Sequence, residues 1–158
     1  MKLGFFNDFV PGIIAGDQIV DVSSVVAQLN HGSPQLLMSE IIAQFAELRP
    51  ALERAARSGG VPLSRVRLRP PLPSPQKVLC LMGGYMEGVT DGVRKGVDMF
   101  LKASSAVIGE GDTIVLPEAR CPIFHHEAEL GLVIGRRTKN VSAAEAARSI
   151  FGYVNFMD

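Results

Sequence analysis

The sequence predicts an α+β, β-rich protein, and two kinds of pattern lead to this fold class. Short runs of β-branched and aromatic residues, separated by Gly, Asp and Pro, occur near the start of the chain and again from residue 77 onward. Such runs are typical of strands joined by tight turns. One long stretch between them, residues 33–60, instead spaces its apolar side chains for one face of a helix. Strands therefore outnumber helices in the prediction.

The first predicted element is a short β-hairpin at the amino terminus. The segments "MKLGFF" and "IIAGDQIVDV" have the composition of strands, and the intervening "NDFVPG" contains the Asn, Asp, Pro and Gly that favour a turn. These segments predict two or three strands that pair with their neighbours along the chain.

A helix is predicted after the hairpin. Ser33 suits a helix start because a proline follows it, and Gly59 suits a helix stop. Pro50 lacks an amide hydrogen, so it is predicted to end or kink the helix at Arg49. The apolar residues at helical spacing are Leu36, Leu37, Ile41, Phe45 and Leu48.

A proline-rich segment, "VRLRPPLPSPQ", comes next and predicts a stiff, extended connector. We place a domain boundary there, between a small N-terminal domain, residues 1–69, and a second domain, residues 70–158. The second domain is predicted to contain the strands "KVLCLM", "IVLP" and "AELGLVIG" and the helix "SAAEAARSIFG", in which Ser142 and Glu145 form a capping box. Its last segment, "GYVNFMD", begins another strand, and because the sequence stops there we expect a truncated chain.

The composition argues against several classes of partner. The chain has 16 basic and 16 acidic residues and no Trp, so neither a charge excess nor an aromatic platform favours nucleic acid or an anionic membrane. No apolar run approaches the roughly 20 residues that span a bilayer, and the amino terminus does not resemble a signal peptide. Cys80 and Cys121 lack metal-type spacing. They are expected to be reduced core thiols of a cytoplasmic protein.

The segment "CPIFHHEAELGLVIGRR" places Glu127 and Glu129 one residue apart in an otherwise apolar run. On a strand, alternate side chains share a face, so both carboxylates would lie on one surface, about 6.6 Å apart at their Cα atoms. Two interpretations stay open. In the first, the strand is amphipathic, with its glutamates in water and its leucines in the core. In the second, the glutamates line a cavity mouth and share a divalent cation, for which oxygen ligands favour Mg²⁺, Mn²⁺ or Ca²⁺ over Zn²⁺.

The chain from about residue 66 to residue 158 resembles the fumarylacetoacetate hydrolase family in an ordered series of motifs. Upstream, "PLPSPQKVLCLMGGY" is similar to the family's proline-rich entry to its first core strand, and "MFLKASSAVIGEGDTIVLP" to the segment that contributes a substrate lysine. Downstream, the family has a Glu-x-Glu strand, a "VIG" continuation, "NVS", a helix and a "GY" strand that ends at an Asp. The corresponding residues here are Glu127-Ala-Glu129, Val133-Ile-Gly135, Asn140-Val-Ser142, Glu145-Ala, Gly152-Tyr153 and Asp158.

The resemblance implies a mixed β-barrel or β-roll catalytic domain, of which residues 70–158 would be the first part, in a homodimer. It implies that Glu127, Glu129 and Asp158 bind one Mg²⁺ or Mn²⁺, and Ca²⁺ is also compatible with such ligands. Lys102 would bind and assist a small carboxylate substrate, an oxo-acid or a 1,3-dicarbonyl compound such as an acylpyruvate. The metal would stabilise the enolate that forms when a carbon–carbon bond breaks or a proton moves.

The chain departs from the family pattern at the general base. Family hydrolases have Gly-x-Asn-Tyr-x-x-His after the first core strand, and a Glu three residues later completes a dyad that activates water. This chain reads "MGGYMEGVTD", which keeps Tyr85, a predicted substrate contact, but has Gly88 where the His is usual. Asp91 falls at the acid position, and Glu87 is a candidate base or further ligand. Nearby, His125 would share the face of the glutamates if the strand extended that far.

The sequence and the resemblance together predict a metal-dependent enzyme, with hydrolysis of a carbon–carbon bond in aromatic compound catabolism as the leading reaction. The predicted catalytic residues are Glu87, Asp91 and Lys102. Two alternatives stay open. The glycine at position 88 leaves room for isomerase, decarboxylase or hydratase chemistry on a 2-oxo acid, and a non-catalytic family member would bind metal or ligand without turnover.

Overall fold

The structure of the chain, a computed structural model, contains a five-stranded antiparallel sheet, two helices that share a core with it, and two separate β-ribbons. The mixed, sheet-rich architecture confirms the coarse fold class, whereas the division of the chain after residue 69 stays a prediction. The described residues are 1–29, 32–85, 92, 96, 98–118, 120 and 123–158.

The five-stranded sheet is formed by the first part of the chain, with the strand order β4-β3-β2-β1-β5. The predicted N-terminal hairpin is confirmed, because β1 pairs with β2 and β2 with β3, each time antiparallel. Gly16 permits the tight β2–β3 turn, since its φ of 63° is a conformation that glycine adopts without strain. The strands are β1 (Lys2–Phe6), β2 (Val10–Ala15), β3 (Gln18–Asp21), β4 (Val61–Pro62) and β5 (Leu68–Arg69).

The predicted helix is in fact two helices, α1 (Pro34–Ala43) and α2 (Phe45–Ala55). The chain breaks at Gln44, and Pro50 lies inside α2, so a helix end at Arg49 is wrong, whereas a kink there stays a prediction. Pro50 cannot donate a helical hydrogen bond, yet α2 continues through it to Ala55. Within the described part of the chain, no helix combines the length and the apolar character needed to cross a membrane.

The hydrophobic core lies between the sheet and these two helices. From the predicted helical face, Leu37, Ile41 and Leu48 are buried in this core, whereas Leu36 is about half exposed. The helices are therefore held by packing on the sheet. The buried members of the core are Phe5, Ile13, Val22, Val26, Leu29, Leu37, Met38, Ile41, Leu48 and Leu52.

Two antiparallel ribbons follow from residue 78 onward. The predicted strands at "KVLCLM", "AELGLVIG" and "GYVNFMD" are confirmed, but "IVLP" forms no strand. A short apolar run becomes a strand where another strand pairs with it, and Ile114, Val115 and Leu116 are largely exposed. The first ribbon consists of β6 (Val78–Met82) and β7 (Asp98–Lys102), and the second of β8 (Ala128–Ile134) and β9 (Ile150–Met157).

A short helix, α3 (Ala143–Ala147), connects the two strands of the second ribbon and has the predicted capping box. The Glu145 N–H donates to the Ser142 hydroxyl, and the Ser142 N–H donates to the Glu145 carboxylate at 3.0 Å. The Ser142 hydroxyl also donates to the Glu145 carboxylate at 2.8 Å. This bond, followed by that of the Ser142 N–H, holds the pKa of Glu145 below its ordinary value. The helix ends earlier than the segment "SAAEAARSIFG" suggested, because the chain already enters β9 at Ile150.

One end of the second ribbon packs on the N-terminal helices. The rings of Phe151 and Phe45 meet edge to face with their centroids 5.0 Å apart. Gly135 lies close to Phe151 and to Ile42 of α1. A Cβ atom at this glycine would be 2.8 Å from the Phe151 Cβ and 3.5 Å from an Ile42 methyl group. The ribbon is thus anchored at this end, and its opposite end carries the predicted metal ligands.

The side chain of Ser149, only 3% exposed, links the turn after β8 to the start of β9. Its hydroxyl accepts hydrogen bonds from Arg136 Nε at 3.1 Å and from Thr138 Oγ1 at 2.8 Å. We expect Ser149→Ala to lower the free energy of unfolding by about 1 kcal/mol, because these bonds are lost at a buried position. Chemical denaturation measures the change, and the exposed Ser105→Ala is the control. Equal midpoints for both variants would contradict a stabilising role for this network.

Candidate functional site

Three carboxylates lie on one face of the second ribbon, at the end remote from the helices. Glu127 and Asp158 face each other across the ribbon, because each backbone N–H donates to the carbonyl of the other, at 2.7 Å and 2.8 Å. Glu129 lies opposite Phe156, one hydrogen-bonded pair further along. Since alternate residues share a face, the side chains of Glu127, Glu129 and Asp158 emerge on the same side. The register therefore brings Asp158 beside two glutamates that lie far from it in the sequence.

The burial of the two faces of the Glu-x-Glu strand bears on the interpretations that the sequence left open. Glu129, Gly131 and Val133 are half-buried. On the opposite face, Leu130 and Leu132 are 57% and 52% exposed. The leucines are therefore not in the core, as the amphipathic interpretation required, whereas Glu127 is exposed and only Glu129 of the two glutamates is half-buried. The face that carries Glu129 is turned toward the rest of the described chain.

Lys102, the last residue of β7, contacts this carboxylate face. Its Nζ lies 2.5 Å from Asp158 Oδ1 and 5.3 Å from the centre of the Phe100 ring. Both side chains of the ion pair are largely buried, with 31% exposure for Lys102 and 20% for Asp158. The hydrogen bond to Asp158 raises the pKa of the Lys102 ammonium above its ordinary value. The structure thus brings the predicted substrate lysine into direct contact with a predicted metal ligand.

Cys80 also lies near these groups, a position that the sequence did not predict. It is a free, half-buried thiol in the middle of β6, directly opposite Phe100, rather than a core residue. Burial and the Asp158 carboxylate raise the pKa of this thiol. Strand alternation could have shown that Cys80 shares a face with Val78, but the carboxylates near that face come from a distant part of the sequence.

Tyr85 lies just beyond β6 and contacts the second ribbon. Its hydroxyl accepts a hydrogen bond of 3.0 Å from the Leu130 N–H, and its side chain is 55% exposed. A phenolic hydroxyl that accepts one bond still has its own proton to donate. The predicted contact of Tyr85 with substrate stays a prediction.

The two histidines before the Glu-x-Glu strand are not part of this cluster. His125 and His126 are exposed, and β8 begins only at Ala128, so the strand does not extend as far as His125. Glu87, Gly88 and Asp91 lie outside the described residues, as does Cys121.

The chemistry of the three carboxylates suits a hard divalent cation, since Mg²⁺ and Mn²⁺ prefer oxygen ligands. Among the residues that the structure describes, no three His, Cys, Asp or Glu side chains are arranged to hold a metal ion. Asp158 instead pairs with Lys102. The backbone register nevertheless places Glu127 directly opposite Asp158, where Cβ atoms are about 4.5–5.5 Å apart. For these two carboxylates to share one ion, Asp158 would have to leave Lys102.

Comparisons with known proteins point to one family. Residues 83–158 match the family described as fumarylacetoacetate (FAA) hydrolase C-terminal. The chain is 36% identical over 145 residues to Protein Rv2993c of Mycobacterium tuberculosis, covering 90% of this chain and 52% of that protein. It is 27% identical over 173 residues to the maleylpyruvate hydrolase of Aquipseudomonas alcaligenes, covering 97% of this chain and 59% of that protein.

A solved structure has the same fold. The crystal structure of maleylpyruvate hydrolase from Sphingobium sp. SYK-6, in complex with manganese(II) ion and pyruvate, superposes with a TM-score of 0.85 at 30% identity, covering 100% of this chain and 58% of that one. A mitochondrial oxaloacetate tautomerase of Xenopus laevis, fahd2, is 31% identical over 93 residues, covering 57% of this chain and 29% of that protein. The chain thus spans little more than half the length of the first relatives that it matches.

Proposed function

Because this chain belongs, through residues 83–158, to the fumarylacetoacetate hydrolase family, we propose that it is part of a divalent-metal-dependent enzyme that acts on a small oxo-acid or 1,3-dicarbonyl substrate. The observation that carries the proposal is the single face on which Glu127, Glu129 and Asp158 emerge together, where Glu129 and Asp158 are half-buried and Lys102 contacts Asp158. The relative of known structure that binds Mn²⁺ and pyruvate supports both the metal and a 2-oxo acid.

The three carboxylates would hold one Mn²⁺ or Mg²⁺, which supplies Lewis-acid stabilisation of the oxygens of an enolate. The chain's own contribution is to keep these acceptors on a face that is partly shielded from water. Partial burial strengthens electrostatic interactions, because fewer water molecules screen the charges. A substrate that is already negative would therefore be held by cationic groups on this face.

Lys102 is the cationic side chain that the structure places beside the carboxylates. Its ammonium has three donors, and its hydrogen bond to Asp158 uses one of them. The remaining donors are available to orient the carboxylate of a substrate or to stabilise a developing enolate oxygen. We propose Glu87 and Asp91 as the acid–base partners that hydrolysis requires, although both lie outside the described residues.

Hydrolysis of a carbon–carbon bond is the leading reaction, in line with the relatives named maleylpyruvate hydrolase. Tautomerisation of a 2-oxo acid is the second candidate, because other relatives are named oxaloacetate tautomerase. That reaction moves a proton through an enol and needs no activated water. It is compatible with a glycine at position 88, where family hydrolases carry a histidine.

Metal removal in the intact protein tests the proposal. We expect treatment with a chelator to reduce turnover of acylpyruvates or oxaloacetate by at least about a hundredfold, because the enolate loses its main electrostatic stabilisation. Added Mn²⁺ or Mg²⁺ should restore the rate, and product analysis distinguishes cleavage from tautomerisation. Turnover that survives complete metal removal would contradict the proposal.

A further inference from the structure

The hydrogen bond between Tyr85 and the backbone of Leu130 joins the two ribbons directly beside Glu129, a predicted metal ligand. Glu127 and Asp158 exchange both of their backbone hydrogen bonds, so in an antiparallel ladder the pairs two residues further along do the same. Leu130 falls between such pairs, and its N–H therefore points away from β9, toward the free edge of β8. Tyr85 satisfies this outward N–H across 45 residues of sequence.

The peptide group that Tyr85 holds is the one that follows Glu129. The Leu130 N–H and the Glu129 carbonyl belong to the same planar unit. A hydrogen bond to that unit restricts ψ of Glu129 and φ of Leu130, and with them the direction in which the Glu129 side chain leaves the strand. The hydroxyl thus acts on a predicted metal ligand through the backbone, without touching its carboxylate.

Tyr85 is itself well placed to serve as an anchor. It follows the end of β6 after only Gly83 and Gly84, and Gly83 has a φ of 63° that turns the chain. The opposite end of the same ribbon carries Lys102, which pairs with Asp158. The two ribbons are therefore joined near both ends of the first one, once through Asp158 and once beside Glu129.

We propose that Tyr85 is a positioning residue that holds the Glu129–Leu130 peptide, and thereby the Glu129 carboxylate, in the geometry needed for metal binding. This inference rests on the proposed function, because it assumes that Glu129 is a metal ligand. It differs from the substrate contact expected of Tyr85 from the sequence, since the hydroxyl here acts on the protein backbone.

Tyr85→Phe in the intact protein removes the hydroxyl and leaves the ring. We expect hydrogen exchange of the Leu130 amide to become about three- to tenfold faster and Mn²⁺ binding to become about three- to tenfold weaker, as expected for the loss of one hydrogen bond. At saturating Mn²⁺ the variant should regain the parental KM, because the substrate contacts are intact. The control is Tyr153→Phe, which alters the chain's other tyrosine, opposite Leu132 on the exposed face, and should change neither readout.

Each other outcome has a definite meaning. Parental Mn²⁺ affinity or parental Leu130 exchange in Tyr85→Phe overturns the positioning role and leaves the proposed function standing. A raised KM at saturating Mn²⁺, with Mn²⁺ affinity unchanged, would assign Tyr85 to the substrate instead. A parent protein that binds no Mn²⁺ overturns the proposed function and this inference together.

Discussion

Replacement of Glu127 by alanine is expected to weaken Mn²⁺ binding by more than about a hundredfold. Glu127 faces Asp158 across the ribbon, so the change removes one of the two carboxylates that the backbone register places closest together. Residues that only support a metal ligand typically cost about 10- to 100-fold in metal affinity when they are lost, and the loss of a ligand should cost more. Under the proposed function turnover should fall in parallel, because the same metal would stabilise the enolate.

Calorimetric titration with Mn²⁺ measures this change directly. Asp98→Ala is a matched control, because Asp98 is an exposed carboxylate on β7, opposite Met82 and at the other end of that strand from Lys102. It should bind Mn²⁺ with the parental affinity. Parental affinity in Glu127→Ala would show that the three carboxylates are not the metal site.

Replacement of Lys102 by methionine is expected to move metal binding and turnover in opposite directions. The ammonium lies 2.5 Å from Asp158 Oδ1 and therefore competes with a metal ion for the same carboxylate. Without it, Mn²⁺ should bind about three- to tenfold more tightly, which corresponds to the usual contribution of a charge-assisted hydrogen bond that is partly exposed. Turnover should nevertheless fall by about a hundredfold or more, because a donor to the developing negative charge is lost.

The opposite signs make Lys102→Met informative. A variant that merely disturbed the ribbon would lose both Mn²⁺ binding and turnover. Lys77→Met is the control, since Lys77 is exposed and directly precedes β6, and it should leave both quantities unchanged. Weaker Mn²⁺ binding in Lys102→Met would mean that the ion pair supports the site rather than competing for it, and unchanged turnover would remove Lys102 from the catalytic proposal.

Much of the second ribbon was predictable because its signals are local. Strand alternation put Glu127 and Glu129 on one face, and the three-residue spacing of Ser142 and Glu145 identified the start of α3. Predictions failed where the structure of a segment depends on the segments that pack or pair with it. "IVLP" has the composition of a strand but pairs with no strand among the described residues, and Pro50 was expected to end a helix that instead breaks at Gln44.

The candidate site was predictable in its membership but not in its contacts. The resemblance named Lys102 and Asp158 as separate contributors, one for substrate and one for metal, whereas the structure pairs them directly. Cys80 was expected in the core, yet its thiol is half-buried near Asp158 and Glu129. Both outcomes depend on how the first ribbon lies against the second.

By itself, the sequence determined which residues alternate on each strand, where the short helix begins and which carboxylates can share a face, since these properties follow from backbone periodicity over a few residues. Only the tertiary structure decided that the face with Glu129 turns inward while Leu130 and Leu132 stay exposed. It also decided that Tyr85 reaches the backbone of Leu130. These features depend on packing between segments that are distant in the chain, and periodicity carries no information about which distant segment a face will meet.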